Sequence, residues 1–255
     1  MRIALSGHGK MGRMVEQIIN ETEGLELAGI RDEAAATQCG GNENCCGGAY
    51  GCYDTFDEIP GGFDVIIDYS HPDYLAGMLE YALANSTPLV IATTGYTDEQ
   101  QAQIAEAAKT VPVVFSGNYS LGINIMEKIL KLITPILEDS FDMEIVEKHH
   151  NQKLDAPSGT AKMLVRAMDP DGKYEHVEGR SGMCKRGKEI GISAIRGGTI
   201  TGEHIAIYAG DDEVLEIKHI ASSRKIFALG SLKAAAFAAE SPAGLYTMDD
   251  VLFGE

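Results

Sequence analysis

The spacing of apolar residues changes character along the chain, and the changes mark the elements. Ile3-Ala4-Leu5 is a short apolar run that stops at a Gly-rich turn. Met11, Met14, Val15, Ile18 and Ile19 then recur at i, i+3, i+4, i+7 and i+8, one face of a helix. Apolar runs return at residues 25–30, 63–68, 89–92 and 111–115, with helical patterns at 74–84 and 98–109 between them. Strands without polar alternation, spaced by helices, form a parallel sheet covered on both faces. The first half is expected to be an open, doubly wound α/β fold.

Past residue 120 the period changes. A long helix is expected over 121–137, interrupted near Pro135. Residues 144–149, 188–196, 201–208 and 213–221 alternate apolar with polar positions, as in Ile190, Ile192 and Ala194. Alternation predicts a second sheet, mixed or antiparallel, with one face less buried. An Ala-rich stretch over 226–240 reads as a closing helix. Two domains are expected: one over 1–119, completed by 226–255, and an α+β mixed-sheet domain over 120–225.

The chain of 255 residues carries 21 Lys+Arg against 38 Asp+Glu, a formal net charge of −17 at pH 7. That acidity argues against a nucleic-acid partner and against docking on an anionic membrane. The first residues hold no signal-peptide core, and no stretch approaches the roughly 20 apolar residues of a membrane span. A cytoplasmic protein is expected. The five cysteines, Cys39, Cys45, Cys46, Cys52 and Cys184, are an odd number, which suits free thiols in a reducing compartment rather than a disulfide scaffold. The run from Cys39 to Cys52 has no zinc or iron–sulfur spacing and is expected to be an exposed loop; a redox or metal role is the alternative.

Gly7-His8-Gly9-Lys10-Met11-Gly12 is G-x-G-x-x-G, and it stands between a strand and a helix. In that context the glycines allow a tight turn, close approach to a pyrophosphate and close helix–strand packing. The helix amino terminus offers N–H groups and partial positive charge to phosphate. Lys10 and Arg13 add formal charge. Asp32 lies 20 residues past Gly12, where an acid bonds the ribose of NAD, and Arg31 beside it could accept the phosphate of NADP. Ala92-Thr93-Thr94-Gly95 and Ser116-Gly117-Asn118-Tyr119 end two further strands on the same side, where a nicotinamide ring could approach. Ordinary strand-to-helix turns are the plainer reading of both.

The second constellation is Glu147-Lys148-His149-His150-Asn151-Gln152-Lys153, followed by Asp155-Ala156-Pro157-Ser158-Gly159-Thr160-Ala161. Pro157 suits a first helical turn, and Ser158 or Thr160 suits a cap. The helix start at Ser158 would hold a carboxylate, and Lys153 a second charge or a proton. His149 or His150 can act as acid or base near neutral pH. Zinc is the rival, but adjacent strand residues point to opposite faces and no third ligand has helpful spacing, so no metal is expected.

These segments, with Asn118-Tyr119-Ser120, Gly202-Glu203-His204 and His219-x-Ala221-Ser222-Ser223-Arg224, resemble the 4-hydroxy-tetrahydrodipicolinate reductase (dihydrodipicolinate reductase) family of lysine and diaminopimelate synthesis. The likeness runs from about residue 3 to about residue 236, and the double-His segment is its most specific part. It implies a Rossmann-type first domain that uses NADH or NADPH, and reduction of a cyclic, unsaturated dicarboxylate. It implies His149 as catalytic acid or base, Lys153 as proton donor, and His150, Gly159 and Thr160 on the substrate carboxylates. It also places residues 7–12 at the pyrophosphate and Ala92 to Thr94 and Ser116 to Tyr119 around the nicotinamide and its ribose. A homotetramer built through the second sheet is a further implication. Ser158 and Arg224 join the expected substrate contacts by position. Ala92 stands where the family more often has glycine, and the Arg31-Asp32 order departs from the Glu-Arg of some members. Two rivals remain open: a thioester-forming aldehyde dehydrogenase, for which no cysteine sits in a fitting context, and a non-catalytic NAD-binding redox sensor built on the Cys run.

Overall fold

A computed structural model describes residues 1–39 and 50–254; Cys45 and Cys46 lie outside the described residues. The chain divides into two compact units, Met1–Tyr119 with Lys225–Glu255, and Ser120–Arg224.

The first unit is a seven-stranded sheet in the order β12-β6-β5-β4-β1-β2-β3. Its strands are β1 (Arg2–Ser6), β2 (Glu26–Arg31), β3 (Cys52–Tyr53), β4 (Val65–Asp68), β5 (Leu89–Ile91), β6 (Pro112–Phe115) and β12 (Gly244–Tyr246). Every pairing is parallel. Its helices are α1 (Lys10–Glu21), α2 (Glu33–Cys39), α3 (Leu75–Asn85), α4 (Asp98–Ala107), α7 (Lys225–Glu240) and α8 (Met248–Phe253). This is the doubly wound α/β architecture expected, and the strand order reverses between β1 and β4. Strand pleating splits the core in two. Ile3, Leu5, Val65, Ile67, Val90 and Val114 face α1 and α7, while Ala4, Ile66, Leu89, Ile91 and Val113 face Leu75, Met78 and Ile104 of α3 and α4. Each fully buried Leu, Ile or Val contributes about 1.5–3 kcal/mol relative to exposure. Helix α7 comes so close to the chain past β6 that a Cβ at Gly230 would collide with the Tyr119 carbonyl.

The second unit holds α5 (Leu121–Leu137), β7 (Asp142–His149), α6 (Gly159–Met168), β8 (Glu175–Glu178), β9 (Glu189–Arg196), β10 (Gly202–Ala209) and β11 (Val214–Ala221). Its five strands run β11-β10-β7-β9-β8. β10 is antiparallel to β11 and β7, and β9 is parallel to β7 and β8, so the sheet is mixed. Met126, Leu130, Ile145, Leu164, Ile190 and Tyr208 pack between sheet and helices. Helix α5 does not break at Pro135 but runs on to Leu137. The proline falls in the last turn, where it forfeits one backbone hydrogen bond and little else.

Three short pieces, β3, β12 and α8, lack the length for a visible period. Cys52, expected as an exposed free thiol, is instead 3% exposed on β3 and disulfide-bonded. Pairing of β3 with β2 draws that residue into the sheet. Cys184 is a free, exposed thiol.

Candidate active site

In the first unit the turn after β1 is held by sterics. Gly7 has φ +91°, and a Cβ there would lie 2.6 Å from the Tyr69 carbonyl oxygen and 2.8 Å from Ser70 Cα. A Cβ at Gly12 would strike the Gly7 carbonyl, so α1 can start this close to β1 only without one. Gly9 differs: a Cβ there meets nothing within 4 Å. It is the N-cap of α1, with no side-chain capping bond and no acidic residue in the first turn. The first N–H groups of α1 therefore carry the helix's positive end without a protein anion on it.

Gly9, Lys10 and Met11 form one wall of a cleft of about 1060 Å³. Ala92, Thr93, Thr94 and Gly95 form another, beyond β5. The third wall, Tyr69 to Asp73 after β4, was not anticipated from the sequence. The cleft thus lies outside the carboxyl ends of β1, β4 and β5, at the reversal of strand order. Two lining residues, Ser70 and Thr93, join a buried polar cluster. Asp68, 1% exposed, accepts from Ser70 Oγ at 2.5 Å and from Tyr96 Oη at 3.2 Å, and Thr93 Oγ1 accepts from Ser70 N at 2.9 Å.

Other predicted cofactor residues stand outside those walls. His8 turns its ring to Glu16 (2.7 Å), and its N–H donates to Asp32 Oδ2 at 2.7 Å. Asp32 Oδ1 accepts from Ala35 N at 2.9 Å, so the carboxylate ties the glycine turn to the start of α2. Arg31 lies over the Tyr74 ring at 4.0 Å and bonds Glu33 at 2.7 Å and the Asp54 carbonyl at 3.0 Å. Ser116, Gly117 and Asn118 make a local turn past β6, closed by Ser116 Oγ and Asn118 N at 3.2 Å. Tyr119 is 2% exposed, with its hydroxyl 2.9 Å from the Ile91 carbonyl and 3.0 Å from that of Val114. Burial pushes that hydroxyl well above its ordinary pKa.

In the second unit, alternation along β7 puts Met143, Ile145, Glu147 and His149 on one buried face. Glu147 is fully buried and His149 is 9% exposed. His149 Nδ1 is 2.6 Å from Glu147 Oε2, and Arg196 from β9 donates Nη1 to Oε2 (2.7 Å) and Nη2 to Oε1 (2.8 Å). Ser158 N donates to Oε1 at 3.0 Å. Burial alone would raise the Glu147 pKa, but bonds from Arg196, His149 and Ser158 outweigh it and hold the carboxyl below its usual range. Burial lowers His149, with Glu147 opposing. His204 of β10 faces His149 edge-on, ring centres 5.2 Å apart, and burial lowers it to about 4.

Ser158 is 2% exposed and engaged on every side: it accepts from Ala161 N as the cap of α6 and lies 3.1 Å from His204 Nε2. It anchors the helix rather than facing solvent. Gly159 is exposed at the helix start, with open space where a Cβ would go, and Thr160 follows at intermediate exposure. The Ala156–Pro157 bond before them is cis. Lys153 Nζ pairs with Asp155 at 2.8 Å, and Arg196 Nη2 reaches the Asp155 carbonyl at 2.6 Å. His150 sits just past β7 at intermediate exposure, and Arg224 is exposed past β11. Among the described residues, no three His, Cys, Asp or Glu side chains are grouped to hold a metal ion. Glu147, Arg196 and His204 were not singled out as site residues, although the period-2 pattern through Ile145, Glu147 and His149 is visible in the sequence.

A glycine-lined cleft at the switch point of a doubly wound sheet is where Rossmann-type folds take a dinucleotide. Within that class the match is specific: the family models described as dihydrodipicolinate reductase, N-terminus and C-terminus, match residues 1–119 and 122–252. The chain belongs to the dihydrodipicolinate reductase family. It is 46% identical over 259 aligned residues to a 4-hydroxy-tetrahydrodipicolinate reductase of Clostridium novyi, covering 98% of each chain. It is 42% identical to the one of Clostridium tetani, covering 99% of this chain and 97% of the other. Among solved structures, a dipicolinate-bound dihydrodipicolinate reductase from Paenisporosarcina sp. TG-14 shares the fold, with TM-score 0.80, 23% identity and 99% coverage of both chains.

Proposed function

We propose that the protein reduces 4-hydroxy-tetrahydrodipicolinate to tetrahydrodipicolinate with NADH or NADPH, in lysine and diaminopimelate biosynthesis. The observation that carries this reading is the family match along both halves of the chain, at 46% identity to a named reductase. The charged cluster around His149 and Lys153 supports it.

The first unit suits a dinucleotide. Gly9 leaves a cradle that any Cβ would enter, and the uncapped α1 terminus suits a pyrophosphate, with Lys10 and Arg13 exposed nearby. Thr93 and Thr94 suit the nicotinamide end. Bound nucleotide supplies the hydride. In the second unit, the start of α6 at Gly159 and Thr160 takes one carboxylate of the substrate, and His150 and Lys153 take charge from the dianion. Arg224 is a candidate for the same charge. Loss of the 4-hydroxyl as water leaves the unsaturated ring that takes the hydride, and Lys153, released from Asp155 as substrate enters, gives that ring its proton from Nζ. His149 holds or moves a proton at Nε2, since Nδ1 is engaged by Glu147. Ser158 acts by holding the helix end in place.

Assembly as a homotetramer and a cytoplasmic location belong to the same proposal. Leu132 (70% exposed) and Ile136 (73%) on α5, with Val214 (61%) and Ile220 (57%) on β11, offer apolar surface for association. No helix among the described residues is long and apolar enough to cross a membrane. The test is to follow NADH and NADPH absorbance with enzymatically generated substrate. No consumption of either would overturn the proposal; light scattering reads the assembly.

A further inference from the structure

We propose that Glu147, braced by Arg196, is a positioning residue that fixes the tautomer of His149: Nδ1 protonated, Nε2 bare. The proposal rests on the reductase reading only for its activity readout.

The deduction is one of hydrogen-bond accounting. Glu147 is fully buried and receives Arg196 Nη1 and His149 Nδ1 on Oε2, and Arg196 Nη2 and Ser158 N on Oε1. A buried carboxylate with donors on both oxygens and a bidentate guanidinium across it is ionised, because the neutral acid would give up the charge-assisted pair and turn its own O–H toward a donor already there. An ionised carboxylate only accepts. The 2.6 Å contact is therefore a hydrogen bond donated by His149 Nδ1, and neutral His149 has its lone pair on Nε2.

The surroundings agree. The charged and titratable groups around the ring are Glu147 on its own strand, Arg196 from β9, His204 from β10 and Lys153 from the loop after β7. Burial, Lys153 and Arg196 all favour a neutral ring, and among the described residues Glu147 is the partner that favours its proton. A Cβ at Gly202 would lie 3.2 Å from His149 Nε2, so glycine keeps a side chain away from the bare nitrogen. Arg196 also holds the Asp155 carbonyl, and Lys153 pairs with Asp155, so the same arginine links the histidine's partner to the lysine's loop.

Glutamine at 147 keeps the shape and changes the accounting. Its amide nitrogen, in the place of Oε2, donates toward His149 Nδ1 and gives up Arg196 Nη1, while its oxygen keeps Arg196 Nη2 and Ser158 N, so the ring proton moves to Nε2. Nitrogen-15 NMR of the ring-labelled full-length protein should show wild-type His149 protonated at Nδ1, and Glu147→Gln protonated at Nε2. In the same variant, kcat should fall by roughly 100-fold or more, the scale of a lost proton-transfer group, with NADH affinity unchanged. Glu147→Asp should recover part of the rate and the wild-type tautomer, which a merely structural role would not require. Arg196→Lys, which keeps the charge but not the fork, should fall between. Wild-type His149 protonated at Nε2 at neutral pH overturns the proposal, even if Glu147→Gln fails to fold. Full kcat in a folded Glu147→Gln protein overturns it too. An inactive wild type with the Nδ1-protonated signature would refute the reductase reading and leave this one standing.

Discussion

Gly7 and Gly9 sit two residues apart in one turn, yet alanine at each should fail in a different way. At Gly7, φ is +91° and the new Cβ would stand 2.6 Å from a backbone oxygen that cannot rotate away. Left-handed backbone costs an L-residue about 1–2 kcal/mol, and overpacking against fixed atoms about 1–3 kcal/mol. Gly7→Ala should therefore lose about 2–5 kcal/mol, a Tm drop of roughly 4–20 °C for a unit of this size. At Gly9, φ is −73° and ψ −161°, which alanine adopts freely, and the Cβ meets open space. The only folding cost is a weaker N-cap, roughly 0.5–1 kcal/mol. The methyl would occupy the phosphate cradle, and one lost charged hydrogen bond is worth about 1.5–3 kcal/mol, a rise of roughly 10- to 150-fold in Kd. Scanning fluorimetry without nucleotide reads the first effect, and an NADH fluorescence titration reads the second. A Gly9→Ala protein that binds NADH as tightly as wild type would refute the cradle. A Gly7→Ala protein that melts like wild type would refute the steric reasoning.

Lys153→Ala should lose far more kcat than NADH affinity; an equal loss of affinity would refute its placement on the substrate. Glu33→Gln should loosen Arg31, now held at 2.7 Å, and raise NADPH affinity relative to NADH in a binding titration; an unchanged ratio would show that Arg31 does not meet the extra phosphate. His204 titrates at about 4 in the fold, against about 6.5 unfolded, so between those values the unfolded chain binds more protons. Stability of the second unit should be full above about pH 6.5 and fall toward about pH 4, by up to about 3 kcal/mol; a Tm flat across that window would refute the burial of His204. Added salt should weaken substrate binding through the His150–Lys153 charges despite the net −17, and a gain of affinity with salt would show surface repulsion to be the larger effect.

What could be read from the sequence followed period and context. Buried parallel strands such as Val65 to Asp68 announce themselves as apolar runs, and β7, β9 and β10 as alternation. Two-residue β3 and three-residue β12 carry no period, because they exist only where β2 and β6 offer an edge. The glycine turn was legible because its spacing stands between an apolar run and a helical period, although the atoms that crowd Gly7 come from Tyr69 and Ser70 on the neighbouring strand's exit. The roles of Arg31 and Asp32 were not, because both side chains are claimed by neighbours distant in sequence: Tyr74 and Asp54 for one, His8 for the other. Likewise His149 was identifiable by type, whereas its partner Arg196 is brought across from β9 by strand pairing.

The first unit is written in two instalments, and that has a cost in time. The outer edge of β6 gains its partner β12 only after about 130 further residues have been made, roughly 6–25 s of synthesis. Through that interval Val113 and Val114 border an open edge, and the surface that α7 covers, with Val90 and Tyr119, is bare. The nascent chain is thus a sticky, unfinished sheet for seconds while the intervening unit is produced. Substitutions in α7 or β12 should show first as poor yield and chaperone dependence, well before any loss of activity in the molecules that mature.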